Sequence, residues 1–261
     1  MLGEALTAIV LPPGDLIGIR GRSEDVDGDG DMDVLGAAIY DDAITWWEND
    51  GAEDFTEHPI ADDFNVAWSV YATDVDGDGD VDVLGAAGAS DAITWWENDG
   101  SEGFTEHTVS GAFDGSHDVY AADVDGDGDV DILGAASTDD DVTWWENDGS
   151  ESFAEHTIAG AFDGASSVYA TDVDRDGDVD ILGAARDANQ ITWWENDGSE
   201  VFTEHTIADG FEGAWSVYAA DVNGDRHVDV LGAAATADDV TWWEQEVLEV
   251  FLPMVTRNVR P

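Results

Sequence analysis

The chain of 261 residues has no cysteine and no lysine; its 7 basic residues are all arginine, set against 62 acidic ones. Without cysteine there is no disulfide framework, no Cys-based zinc site and no thiol chemistry. A formal charge of −55 repels a phosphate backbone, so nucleic acid is not an expected partner. No run approaches the roughly 18 apolar residues that cross a bilayer, so membrane insertion is not expected either. The opening MLGEALTAIVLPPG carries no cationic segment before its apolar stretch and does not read as a signal peptide. Helical spacing at i, i+3, i+4 and i+7 is missing throughout. What the chain does have is 43% hydrophobic residues, enough to bury a sizeable core despite its charge.

It also has a period. DVDGDGD begins at Asp25, Asp74 and Asp123, its variants begin at Asp172 and Asp221, and every step is 49 residues. The pairs Trp46–Trp47, Trp95–Trp96, Trp144–Trp145, Trp193–Trp194 and Trp242–Trp243 keep the same step. Five units, about 18–60, 67–109, 116–158, 165–207 and 214–255, take up nearly the whole chain and leave no room for a second domain. Each unit holds four short β-type runs between Gly/Asp turns; in the third they are 118–122, 131–136, 142–146 and 153–158. Four strands per repeat predicts an all-β fold, a five-bladed β-propeller of four-stranded antiparallel sheets in a single domain spanning 1–261. The run LTAIVL at 6–11 has the phase of a fourth strand, 49 residues before FTEHPI at 55–60. It is expected to complete the last blade, with the C-terminal run 247–255 as the competitor.

Five carboxylates alternate in nine residues of the first loop: Asp25, Asp27, Asp29, Asp31 and Asp33. Such a cluster repels itself unless a cation sits within it, and oxygen-only ligands select a hard ion. Positions 1, 3, 5 and 9 are expected to supply side chains, position 7 a backbone carbonyl, and glycine at position 6 the bend. Calcium suits this flexible oxygen set better than magnesium. The same positions hold Asp74, Asp76, Asp78, Asp80 and Asp82 in the second loop and Asp123, Asp125, Asp127, Asp129 and Asp131 in the third. The fourth has Asp172, Asp174, Asp176, Asp178 and Asp180, with Arg175 at position 4, where it is expected to point outward. The fifth has Asp221, Asn223, Asp225, His227 and Asp229, with Arg226 where glycine is wanted, so of up to five ions the fifth is expected to bind most weakly. An EF-hand fits less well: position 12 is Gly36, and a strand pattern follows instead of a helix.

DVDGDGDVDILGAA after strands of the type SVYAAD resembles the FG-GAP/VCBS repeats of integrin-like β-propellers, over roughly 25–244. The resemblance implies a calcium loop between the first two strands of each blade, with ligands on the loop positions named above. Repeats in that family are longer and its rings have seven blades as a rule, and Val-Tyr stands here in place of the FG dipeptide. The loops hold 23 of the 62 acidic residues. The remainder suggests either a surface suited to high salt, where screening lengths fall to about 3 Å at 1 M, or a strongly soluble secreted protein. Extracellular calcium modules work at roughly 10⁻⁴–10⁻³ M, which favours a secreted or cell-surface location.

Neighbouring tryptophans on a strand face opposite ways, so each TWWE run is expected to pack between blades. The Glu57–His58 pair and its copies on the fourth strand read as a charged, solvated edge, because adjacent residues cannot converge on one zinc ion. Variation between repeats falls in the loop after the second strand, which holds Tyr40, and at the phase shared by Trp68, His117, Ser166 and Trp215. These positions are expected on the face opposite the calcium loops, where Tyr40, Trp68, His117 and Trp215 are candidate ligand contacts able to stack on sugars. No asymmetric His, Ser or Lys constellation singles out a catalytic site, so an enzyme is not expected. The chain therefore reads as a monomeric calcium-binding module for glycans or a surface protein, with multivalent lectin activity as one form. The alternative is a calcium-stabilised spacer with no small-molecule ligand.

Overall fold

In the computed structural model, which describes residues 19–52, 54–101, 103–246 and 250–258, the chain forms twenty strands. The first sheet comprises β1 (Ile19–Glu24), β2 (Asp33–Ala38), β3 (Ala43–Asn49) and β4 (Phe55–Ala61). The second comprises β5 (Ala67–Thr73), β6 (Asp82–Ala87), β7 (Ala92–Asn98) and β8 (Phe104–Ser110). The third follows with β9 (Ser116–Ala122), β10 (Asp131–Ala136), β11 (Asp141–Asn147) and β12 (Phe153–Ala159). The fourth has β13 (Ala165–Thr171), β14 (Asp180–Ala185), β15 (Gln190–Asn196) and β16 (Phe202–Asp209). The fifth has β17 (Ala214–Ala220), β18 (Asp229–Ala234), β19 (Asp239–Glu246) and β20 (Val250–Asn258). Every sheet is an antiparallel meander in chain order, and the described residues contain no helix.

The first strands, β1, β5, β9, β13 and β17, run next to one another along the inner side of the array. Tyr71, Tyr120, Tyr169 and Tyr218 follow one another there, ring centres 4.6–4.8 Å apart and the rings tilted or edge to face. The Arg22 guanidinium lies 3.6 Å from the Tyr71 ring centre, a cation–π contact at the head of the row.

Sheets pack face to face through the tryptophan pairs. Trp46 joins Leu35, Ala37 and Ile44 of the first sheet to Val70, Ala72, Val83 and Trp96 of the second, and the next three interfaces repeat the arrangement. The expected division of each pair between opposite faces is what the sheets display. The glycine of the second strand makes this possible: in DILGAA of β10, a Cβ on Gly134 would stand 2.8 Å from the rings of both Phe113 and Trp145. These two rings meet edge to face at 5.0 Å, directly over the bare backbone.

Two expectations change. The first strand of the third unit begins at Ser116 and not at 118, because Ser116 and His117 are buried beside a register shift in β10. The fourth-strand place of the last sheet belongs to β20, paired with β19 from Asp239↔Asn258 to Glu246↔Val250. A short hairpin connection costs less closure entropy than recruiting a strand from the other end of the chain. The run at 6–11 lies outside the described residues.

Gly134→Ala is expected to cost about 1–3 kcal/mol through overpacking, and Trp144→Ala about 3–5 kcal/mol through a cavity. Denaturant unfolding of the two variants, compared by midpoint and slope, measures both.

Candidate functional site

Each Asp loop joins the first two strands of its sheet and is folded by its own carboxylates. In the second loop the position-1 side chain, Asp74, accepts the Gly77 and Gly79 amides at 2.8 and 3.1 Å. Asp76 accepts from Asp78 N at 3.0 Å, and Asp78 from Asp80 N at 2.9 Å. Glycines at positions 4 and 6 both take positive φ, 78° at Gly77 and 102° at Gly79. The bend therefore involves position 4 as well as position 6. Arg175 at φ 70° and Arg226 at φ 76° occupy left-handed backbone in the two variant loops.

These turns bring positions 1, 3 and 5 together. Asp25, Asp27 and Asp29 each offer a carboxylate oxygen within 4.8 Å of the others, as do Asp74, Asp76, Asp78 and Asp123, Asp125, Asp127. In the fourth loop the convergent set is Asp172, Asp174 and Asp180. The position-7 side chains, Asp31, Asp80, Asp129 and Asp178, lie against Gly51, Gly100, Gly149 and Gly198 of the turn after the third strand.

Position 9 is the deepest. Asp33, Asp82, Asp131, Asp180 and Asp229 are fully buried. In the third sheet the two oxygens of Asp131 accept Val124 N at 2.9 Å and Asn147 N at 2.8 Å, pinning the loop to the end of β11. Burial pushes Asp82 and Asp131 up to about 6 and Asp180 to about 7, against the pull of the two backbone donors. Partial burial raises the position-3 group as well, at Asp27, Asp76, Asp125 and Asp174, with neighbouring carboxylates adding to the effect.

Among those neighbours are Glu48, Glu97, Glu146 and Glu195, the last letters of the TWWE runs, which the sequence reading left without a role. Each sits 2.7–2.8 Å from Nε2 of a fourth-strand histidine, His58, His107, His156 or His205. These histidines stack on the first tryptophan of their sheet's TWWE run at 4.4–4.7 Å. The Glu-His partnership thus runs across strands, and Glu97, His107 and Glu151 come within 4.8 Å of one another. Reading only the adjacent Glu57–His58 pair hid this, since cross-strand register is not visible in a single strand.

The fifth loop differs. Asn223 Nδ2 donates to Asp225 at 3.1 Å and to Glu244 at 2.9 Å, so an amide fills the space between two carboxylates. His227 N donates to Asp225 Oδ1 at 2.7 Å and its Nδ1 stands 3.4 Å from the same oxygen. Among the described residues no three-carboxylate group forms around Asp221 and Asp229.

At the other end of the first strands, Trp68, His117, Ser166 and Trp215 converge. Trp68 stacks on His117 at 4.6 Å, and Trp215 meets both rings edge to face at 6.2 and 5.1 Å. The Trp68 indole also lies against Gly88 in the turn between β6 and β7, which places the cluster on the varied face. His117 is buried, with Nδ1 donating to the Ser166 carbonyl at 2.7 Å. It is therefore a support beneath the two half-exposed tryptophans, not an exposed contact as expected. Tyr40 is 72% exposed on its own turn. Positions of one phase meet at one place because the first strands run side by side, so they form one cluster and not several.

The pH response follows from the position-9 groups. At Asp82, Asp131 and Asp180 the folded values lie above the ordinary 3.8, so in metal-free protein these three contribute stability fully below about pH 4 and lose it as pH rises through 6–7. The melting temperature of chelated protein is expected to fall between about pH 5 and pH 7.5, and added calcium to flatten that fall. A scan series with and without chelator measures it.

Residues 25–85, 74–134, 123–183 and 172–232 each match the model of the FG-GAP-like repeat. No curated protein matches the chain in sequence. Among solved structures, a lectin of Agrocybe aegerita that recognises non-reducing terminal N-acetylglucosamine is similar over 91% of this chain at 19% identity, with a TM-score of 0.63. A functionally unknown protein of Desulfotomaculum acetoxidans is similar over 86% at 11% identity, with a TM-score of 0.59. The chain spans 66% of the length of each. At such identities the likeness speaks for the fold, which is β-propeller-like. With the repeat matched from 25 to 232, the chain belongs to the FG-GAP-like repeat family.

Proposed function

We propose that this protein is a calcium-stabilised binding module, secreted or held at a cell surface, whose varied face takes a glycan. The observation that carries the reading is the pair of half-exposed indoles, Trp68 and Trp215, set edge to face at 6.2 Å over the buried His117. Indoles held by a rigid base present the apolar faces that sugar rings pack on, at little entropic cost. The similar fold of a lectin supports the same reading.

The loop carboxylates fit a hard divalent ion. Asp25, Asp27 and Asp29, with their counterparts in the next three loops, would hold calcium together with the position-7 carbonyl. The ion would supply the positive charge that lets these side chains stay ionised at close range. With calcium in place the loops become a rigid base, and the opposite face is free to vary. Nothing in this arrangement resembles a tuned acid–base pair beside a nucleophile, and we read the protein as non-enzymatic.

A glycan array in millimolar calcium, run beside a chelated sample, tests the proposal. Selective signal that needs calcium, weakened roughly tenfold or more by Trp68→Ala or Trp215→Ala, is the expected result. Silence from folded protein would leave a calcium-stabilised spacer as the better account.

A further inference from the structure

The fifth Asp loop keeps the backbone hydrogen bonds of the others. Gly224 N donates to Asp221 Oδ1 at 2.7 Å and Arg226 N to Asp221 Oδ2 at 2.9 Å, as Gly77 and Gly79 do to Asp74 at 2.8 and 3.1 Å. Asp225 N donates to Asn223 Oδ1 at 2.8 Å and His227 N to Asp225 Oδ1 at 2.7 Å. The corresponding bonds in the second loop, Asp78 N to Asp76 and Asp80 N to Asp78, measure 3.0 and 2.9 Å. Gly224 at φ 80° and Arg226 at φ 76° hold the left-handed backbone that Gly77 and Gly79 hold in that loop. Of the three positions that converge in the first three loops, the fifth retains Asp221 and Asp225 and departs only at Asn223. The loop is folded as a cation loop, and an amide stands where its middle carboxylate belongs.

That amide is placed to react. Asn223 is the only asparagine of the chain that precedes a glycine, and both residues are exposed. Gly224 has no side chain to shield its nitrogen from the neighbouring amide carbon. The Gly224 N–H points at the Asp221 carboxylate, 2.7 Å away, a base for the proton this nitrogen must lose on attack. The Asp225 N–H donates to Asn223 Oδ1, the oxygen on which negative charge develops as Cγ becomes tetrahedral. Nδ2, the departing nitrogen, is held by Asp225 Oδ2 at 3.1 Å and Glu244 Oε1 at 2.9 Å. Asn65, equally exposed, precedes Val66, whose branched side chain crowds the same approach.

We propose that Asn223 is a site of spontaneous deamidation, and that the reaction completes the fifth loop as a cation site. The Gly224 nitrogen forms a bond to Cγ of Asn223 and gives up its proton; the Cγ–Nδ2 bond breaks, and ammonia leaves with that proton, closing a succinimide. Water then adds at Cγ, the bond from Cγ to the Gly224 nitrogen breaks, and the nitrogen regains a proton. The product is aspartate at position 223, which restores the DVDGD sequence of the first three loops. Water adding at the main-chain carbonyl instead gives isoaspartate, which reroutes the backbone through the side chain and breaks the loop's hydrogen bonds. In the aspartate form a new charge faces Asp225 and Glu244, the two carboxylates that the amide now bridges. A cation relieves that repulsion, and affinity rises with the number of charged ligands. The inference rests on the reading of these loops as calcium sites.

The test incubates the metal-free full chain at mildly alkaline pH and follows each asparagine by peptide mass mapping. Fresh wild type, Asn223→Asp and Asn223→Gln are then titrated calorimetrically with calcium. Conversion at Asn223 well ahead of Asn65 is expected, with no conversion at that position in Asn223→Gln. The Asn223→Asp protein is expected to bind calcium at its fifth site on the order of tenfold more tightly than fresh wild type, whereas Asn223→Gln gains nothing. Asn223 that converts no faster than Asn65 would overturn the proposal, and so would an Asn223→Asp protein whose fifth site stays as weak as in wild type. Folded wild type and Asn223→Asp that bind no calcium at any loop would overturn the calcium reading itself, and the latent site with it.

Discussion

The buried aspartate that ends each loop is the contact on which the rest of the structure depends. Asp131 has no exposure, yet it holds the Val124 amide from its own loop and the Asn147 amide from the end of β11. The Asn147 side chain then reaches the Val75 carbonyl in the preceding sheet. A polar line thus runs from the acidic loop, through a fully buried carboxylate, into the interface between sheets. A buried carboxylate is costly unless its oxygens are engaged, and here each oxygen has a backbone partner. The Asp loops and the apolar interfaces are coupled parts of one unit, repeated every 49 residues.

That coupling explains how such an acidic chain keeps its shape. The interfaces are tightly interlocked, with Gly85, Gly134, Gly183 and Gly232 each admitting a Phe and a Trp ring against bare backbone. Apart from the buried position-9 aspartates, most acidic groups are placed at loops and edges, open to solvent. Stability in a repeat array is largely a sum of unit and nearest-neighbour terms.

Much of this was legible in the residues because the repeat fixes phase. The 49-residue step, four strands per unit, opposite placement of paired tryptophans and the carboxylate alternation all follow from period and residue type. What escaped was cross-strand and cross-sheet. Glu97 meets His107 through the register of β7 on β8, which no adjacent-residue pattern reveals. His117 shares a phase with Trp68 and Trp215, and their convergence depends on how first strands gather along the inner side. The fourth strand of the last sheet was assigned by phase to 6–11, whereas chain proximity gives the place to β20.

The central claim is that the loops hold hard divalent cations and that this binding is built into the fold. Calorimetric titration of metal-stripped protein with calcium at neutral pH tests it most directly. The account predicts four comparable sites and a weaker fifth at the Asn223 loop, where an amide already lies between the carboxylates. Absence of calcium binding by protein that remains fully folded without metal would contradict it.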